Sequence, residues 1–190
     1  TDVVMPGLSG ADLAEQIATA HFAPHNRASD LQEPTYDGST VTVIPEVAVA
    51  LQAFADAGFL TADVEEGSAL PSSVRAATMA WFQAPNAGTS AYALLTSAAA
   101  NLLRKHGTPD QVERYAVPMG DGRFFGTMML SEPHAGSNLA DITTRAEPQD
   151  DGTYRIFGRK MWISGGDHEM GDNIVHLVLA RIPGSPPGTK

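Results

Sequence analysis

The chain changes texture once, just after Gly122, and that change limits the folds open to it. Before it, Ala-rich stretches carry apolar residues at helical spacing. After it, short β-prone runs are separated by Gly, Asp and Pro. Helices followed by strands, not alternating with them, argue against a βαβ sheet and predict an α+β chain with segregated parts. In the first part, Gly10 to Phe22 carries Leu13, Ile17 and Phe22 at roughly helical spacing, with Pro24 expected to end that helix. Arg27 to Thr42 reads as a loop. Pro45 suits the first position of a helix to Ala57, striped by Val47, Leu51 and Phe54 and closed by Gly58. Glu65 to Ser73 reads as another loop, Pro71 starts a helix through Phe82, and Ala91 to His106 is an apolar helix closed by Gly107. Thr108-Pro109-Asp110-Gln111 has the form of a capping box, opening a helix that ends before Pro118. Residues 10–117 are expected to hold no strand.

Beyond Gly122, Phe124 to Leu130 is a compact apolar run and Asp141 to Ala146 alternates in polarity. Asp150-Asp151-Gly152 marks a turn, with Tyr154 to Phe157 and Met161 to Ile163 as short strands around Gly158. Asn173 to Ile182 is a long β-prone run, and Pro183 to Lys190 is rich in Pro and Gly. The expected organisation is a junction remnant or leader at 1–10, a helical domain at 11–122 and a partial β domain at 123–190. With 190 residues, 43% of them hydrophobic, a sizeable core can form. The formal charge of −10 disfavours nucleic acid and anionic membrane surfaces. Without cysteine there is no disulfide framework and no thiolate chemistry, which fits a cytoplasmic protein. No apolar run approaches the roughly 20 residues that span a bilayer, and no signal peptide is visible.

The segment richest in chemistry is the apolar run Met128-Met129-Leu130 leading into Ser131-Glu132-Pro133-His134-Ala135-Gly136-Ser137. Such a loop exposes consecutive backbone N–H groups beside small side chains, which suits a diphosphate or the polar edge of a planar ring. On the residues alone, an ordinary Gly/Ser turn between strands is the simpler description, because a short Gly-rich loop is a weak signal. Trp162 and Ser164, two apart on an expected half-buried strand, would share one face, where an indole can pack on a flat ring and a hydroxyl can donate to it. On the residues alone, a core Trp beside an exposed Ser is the simpler reading. His168-Glu169-Met170-Gly171-Asp172 begins like a metalloprotease helix, but Asp172 stands where the second His is required, so no metal site is assigned. His134 reads as an exposed loop histidine, and His21, His25 and His106 as helix-end residues.

Ser131-Glu132-Pro133-x-Ala135-Gly136-Ser137 followed by Lys160-Met161-Trp162-Ile163-Ser164-Gly165-Gly166 resembles the middle domain of the acyl-CoA dehydrogenase family. Phe22 to Arg27 and Gly165 to Arg181 resemble the longer bacterial members, including those that act on 3-methylmercaptopropionyl-CoA. The resemblance implies a helical N-terminal domain, a β-barrel-like middle domain present here in part, and a C-terminal helical bundle that this chain does not contain. It also implies FAD as cofactor, with Met129, Leu130 and Ser131 against the pyrimidine, and Gly136 and Ser137 at the pyrophosphate. Trp162 and Ile163 would lie beside the flavin, and Ser164 near N5. The implied reaction is α,β-dehydrogenation of an acyl-CoA thioester, the base being a Glu expected beyond Lys190; Glu132 is read as structural. By itself the chain would then be inactive, and a non-catalytic flavin- or acyl-CoA-binding scaffold is the alternative. Further implied are an electron-transfer flavoprotein as acceptor and a homodimer or higher oligomer; the charge, not the resemblance, argues against nucleic acid or membrane as partner. Separately, Thr1 to Leu13 resembles the phosphoacceptor segment of a response-regulator receiver, with Asp2 as acceptor, but the acidic pair, hydroxyl and Lys that a receiver requires are not in evidence.

Overall fold

The computed structural model describes residues 10–61 and 71–186. The receiver-like segment through Ser9 and most of the expected 65–73 loop lie outside the described residues. The chain divides into two compact units. One takes in the chain up to Gly126 together with Asp167–Val175; the other takes in Thr127–Gly166 and the residues from His176 onward. The parting is therefore not a single cut near Gly122, because a later segment returns to the helical unit.

In the helical unit, α1 (Gly10–Ile17) passes through a π-turn (Ala18–Phe22) and a 3₁₀ turn (Ala23–His25) into α2 (Asn26–Leu31). Pro24 thus changes the helix type and does not end the helical path. It occupies the start of the 3₁₀ turn, where a missing N–H is harmless. The side chain of His25 helps the chain through this passage: Nδ1 donates to the His21 carbonyl at 2.8 Å, and Nε2 meets the Thr89 hydroxyl at 2.8 Å. His25 is therefore a buried, partnered residue and not a simple helix end. A two-residue hairpin, β1 (Thr35–Tyr36) with β2 (Val41–Thr42), occupies part of the expected loop and corrects the expectation of no strand there. Its tip is Asp37-Gly38, where Asp37 Oδ1 accepts from the N–H groups of Ser39 and Thr40.

Helix α3 (Pro45–Asp56) begins at its Pro, and Gly58 follows with φ +79°, as a left-handed helix stop requires. Next come α4 (Ser72–Gln83) and α5 (Ala87–His106). Helix α5 starts four residues earlier than its apolar run suggests. Asn86 caps it by accepting the Thr89 N–H at 3.0 Å, while its amide donates to the Phe22 carbonyl at 3.1 Å. The capping box at Thr108 is present and opens α6 (Pro109–Gln111). A π-turn (Val112–Ala116) then leads into α7 (Val117–Gly120), which carries Pro118 in its first turn, so the helix does not stop before that proline.

The core of this unit is a cluster of Phe22, Phe54, Phe59 and Phe82. Its edge-to-face pairs have ring centroids 4.7–5.2 Å apart. Ala14, Ala18, Ala50 and Ala93 let the helices close around these rings. On α1 and the turn after it the fully buried positions are Ala14, Ala18 and Phe22, while Leu13 and Ile17 are only half buried.

Strand β3 (Phe124–Met129) pairs with β6 (Asn173–Val178). In the second unit, β4 (Arg145–Pro148) and β5 (Tyr154–Phe157) form an antiparallel hairpin in the register Arg145↔Phe157 to Pro148↔Tyr154. The turn at Asp150-Asp151-Gly152 is held by Asp151 Oδ1, which accepts from the N–H and hydroxyl of Thr153. Met161–Ile163 is not a strand, and Asp141 closes a 3₁₀ turn (Leu139–Asp141) before the alternating run becomes β4. Among the described residues the strands make three two-stranded pairs and no closed barrel, and no helix is long and apolar enough to cross a membrane.

Candidate functional site

All the residues singled out from the sequence as cofactor contacts lie in the second unit: Met129, Leu130, Ser131, Gly136, Ser137, Trp162, Ile163 and Ser164. Past β3 the chain makes a tight reversal, Glu132 and Ala135 exchanging main-chain hydrogen bonds of 2.8 and 3.1 Å around Pro133-His134. Gly136 and Ser137 emerge from it exposed.

The second motif docks directly on the first. The Met161 N–H donates to the Ser131 carbonyl at 3.0 Å. The Lys160 ammonium donates to the Leu130 carbonyl and to Glu132 Oε1, each at 2.9 Å. The Met129 carbonyl accepts from the Leu179 N–H at 3.1 Å. Three successive carbonyls, at Met129, Leu130 and Ser131, are thereby occupied within the protein. The Ser131 hydroxyl and the N–H groups of Gly136 and Ser137 have no partner among the described residues. The surface left for a ligand is therefore rich in donors and suits an acceptor such as a phosphate or a ring carbonyl edge.

Glu132 is the structural centre of this arrangement. Its side chain is 1% exposed. It accepts from the Thr143 N–H at 2.7 Å, the Thr143 hydroxyl at 2.9 Å, the Thr144 N–H at 3.0 Å and Lys160. Burial pushes its pKa up, but the hydrogen bonds from Thr144, Thr143 and Lys160 outweigh that and hold the carboxyl well below the usual carboxylate range. A carboxylate so fixed and so weakly basic cannot serve as a general base. Behind it, Arg181 braces the 140–142 turn by donating to the carbonyls of Ala140 (2.7 Å) and Ile142 (3.2 Å).

Trp162 departs from its expected setting. It adopts φ +62°, rare for a side-chain-bearing residue, and its ring is not half buried but 84% exposed. The segment bends because Met161 is held by Ser131 while Trp162 and Gly165 (φ +63°) both turn left-handed. The alternation that would place Trp162 and Ser164 on one strand face is therefore lost. Ser164 sits exposed in the following turn, and Ile163 is half buried beneath Gly166, where an added Cβ would lie 3.2 Å from Ile163 Cγ2. At Gly136 an added Cβ would meet nothing within 4 Å, so open space adjoins that loop.

His134 is half exposed, 3.1 Å from the Asp141 carbonyl. His168, in the helical unit, is buried edge-on against Phe125 (4.7 Å) and Tyr92 (5.5 Å). Sequence reading missed Lys160, Thr143 and Thr144. Their one signal was the charge of Lys160 immediately before an apolar triplet.

No family model matches the chain. It is 36% identical over 172 residues to the 3-methylmercaptopropionyl-CoA dehydrogenase of Ruegeria pomeroyi, an alignment covering 89% of this chain and 29% of that protein. It is 34% identical over 167 residues to a broad-specificity linear acyl-CoA dehydrogenase of Mycobacterium tuberculosis, covering 85% of this chain and 27% of that protein. The chain thus spans under a third of the length of these curated relatives. Among solved structures, an acyl-CoA dehydrogenase complexed with FAD from Bacillus anthracis matches with a TM-score of 0.73 at 22% identity, over 97% of this chain and 32% of that one.

Proposed function

The chain belongs to the acyl-CoA dehydrogenase family, and we propose that its second unit forms part of an FAD site for the α,β-dehydrogenation of an acyl-CoA thioester. The observation that carries this reading is the docking of the Trp162 turn on the Ser131 loop through Met161 and Lys160. The residues fit the group: an indole presents its face to open space, unpaired donors line the loop, and Gly136 leaves room for close approach. Bound FAD would accept the hydride that leaves Cβ of the thioester. Trp162 would pack on the ring system and keep water from it. The hydroxyls of Ser131 and Ser164 would donate to the polar edge, and Gly136 and Ser137 would hold the diphosphate through N–H and hydroxyl donors. The family resemblance assigns removal of the Cα proton to a glutamate of the C-terminal helical bundle; Glu132, committed to its four donors, is not that base. By the same reading, the acceptor of the electrons is an electron-transfer flavoprotein and the protein is a homo-oligomer.

The test is the visible spectrum of the full-length protein before and after a panel of acyl-CoA thioesters. A flavin band that bleaches with one or more of them is the expected outcome, and Trp162→Ala should alter the band's position or the flavin's fluorescence. A colourless protein that takes up no added FAD overturns the reading.

A further inference from the structure

We infer that Lys160 is a positioning residue: its ammonium clamps the Trp162 turn onto the Ser131 loop and so sets where the indole stands relative to the loop's donors. This rests on the flavin reading above for its functional consequence, but not for its geometry. Lys160 and Met161 form two adjacent rungs to the same loop. The Lys160 side chain holds the Leu130 carbonyl, and the Met161 main chain holds the next carbonyl, that of Ser131. Two rungs fix the angle of the docked segment as well as its position, and the residue that follows is the left-handed, exposed Trp162. A lone main-chain bond at Met161 would leave the segment free to pivot.

The choice of an ion pair supports the same conclusion. The Lys160 side chain is 8% exposed and that of Glu132 1%. Burying such a pair adds little net stability compared with apolar residues of the same size, and its best-attested value is in specifying geometry. Here the pair joins three separate stretches, because Glu132 also takes the N–H groups of Thr143 and Thr144. The left-handed conformation of Trp162 is unfavourable by itself and persists only where its surroundings over-determine it. Lys160 is the side chain that supplies that constraint on the N-terminal side.

The experiment uses the full-length protein labelled with 5-fluorotryptophan, with resonances assigned by Trp162→Phe and Trp81→Phe. Trp81, on α4 of the helical unit, serves as the internal control. In flavin-free protein, Lys160→Met should shift or broaden the Trp162 resonance and leave that of Trp81 in place. In an FAD titration, the same variant should bind at least about tenfold more weakly, the scale of one lost charge-assisted hydrogen bond. Lys160→Arg, which keeps the charge and donors, should restore most of both. Should Lys160→Met fail to fold, Lys160→Gln, whose shorter and uncharged amide loses the ammonium's joint hold on the Leu130 carbonyl and Glu132, carries the same comparison. An unmoved Trp162 resonance together with unchanged FAD affinity overturns the clamp while leaving the flavin reading intact. A wild-type protein that takes no FAD, with a Trp162 resonance that still answers to Lys160, overturns the flavin reading while the clamp stands. Equal displacement of the Trp81 and Trp162 resonances reduces Lys160 to a general stability residue and also overturns the proposal.

Discussion

Gly136 separates the demands of the fold from those of a ligand. An added Cβ there meets no atom of the protein within 4 Å, and its φ is not left-handed, so the fold itself has no objection to a side chain. Gly136→Val should therefore leave the melting temperature nearly unchanged while lowering the flavin content of the full-length protein, because the valine methyls occupy the space through which a diphosphate approaches the loop's N–H groups. Unchanged occupancy would place the diphosphate elsewhere. The small residues Ala135-Gly136-Ser137 were legible in the sequence as a loop open to close approach, though an ordinary turn has the same composition. The partners of Glu132 were not. Its donors lie 11, 12 and 28 residues away, and helix or strand periodicity speaks only of neighbours a few places apart. Nor could the sequence foretell that Trp162 is left-handed, because that depends on how its neighbours are anchored.

The strand β3 is held against α5 by a close approach at Gly126. Its N–H donates to the Thr96 hydroxyl at 3.1 Å, and a Cβ on Gly126 would stand 2.5 Å from Ala99 Cβ and 3.2 Å from Thr96 Cα. Backbone stands on one side and a buried alanine on the other, so neither can yield as a flexible side chain would. Gly126→Ala should destabilise the protein by roughly 1–3 kcal/mol, the usual scale of overpacking, read as a lower denaturant midpoint at constant slope. A shift under about 0.5 kcal/mol, within the range of an ordinary surface substitution, would show that the helix relaxes away. At this scale the sequence was most informative where local chemistry decides the outcome, as in the capping box at Thr108, the Pro start of α3 and the hairpin turn at Gly152. It failed where a tertiary partner intervened. Asn86 begins α5 early because its amide also reaches the Phe22 carbonyl. Pro24 and Pro118 are absorbed because the helical path shifts through π- and 3₁₀ turns around them.

For the molecule as a whole, two electrostatic effects oppose each other as the pH falls. The formal charge of −10 at pH 7 and a pI near 4.8 mean that acidification first removes self-repulsion, which favours the compact state. Glu132 acts in the other direction. Its folded pKa is depressed, so the unfolded chain binds the proton more readily. The stability it contributes is complete above the ordinary carboxyl range, about pH 4, and is lost as the pH falls below it. Stability should therefore hold or rise slightly from pH 7 towards 5 and decline below about 4. Glu132→Gln isolates the second effect. At neutral pH it leaves the buried Lys160 ammonium without its counter-charge, a loss of about 3 kcal/mol or somewhat more. As the pH falls through the ordinary carboxyl range, the unfolded wild-type chain takes up a proton that the folded Glu132 carboxylate still refuses, so the gap between the two proteins should narrow steadily towards low pH. Denaturant unfolding of both across pH 2.5 to 7 reads this directly. A difference that stays constant over that range would mean that Glu132 contributes through shape and not charge, and that the Lys160 clamp operates without the ion pair.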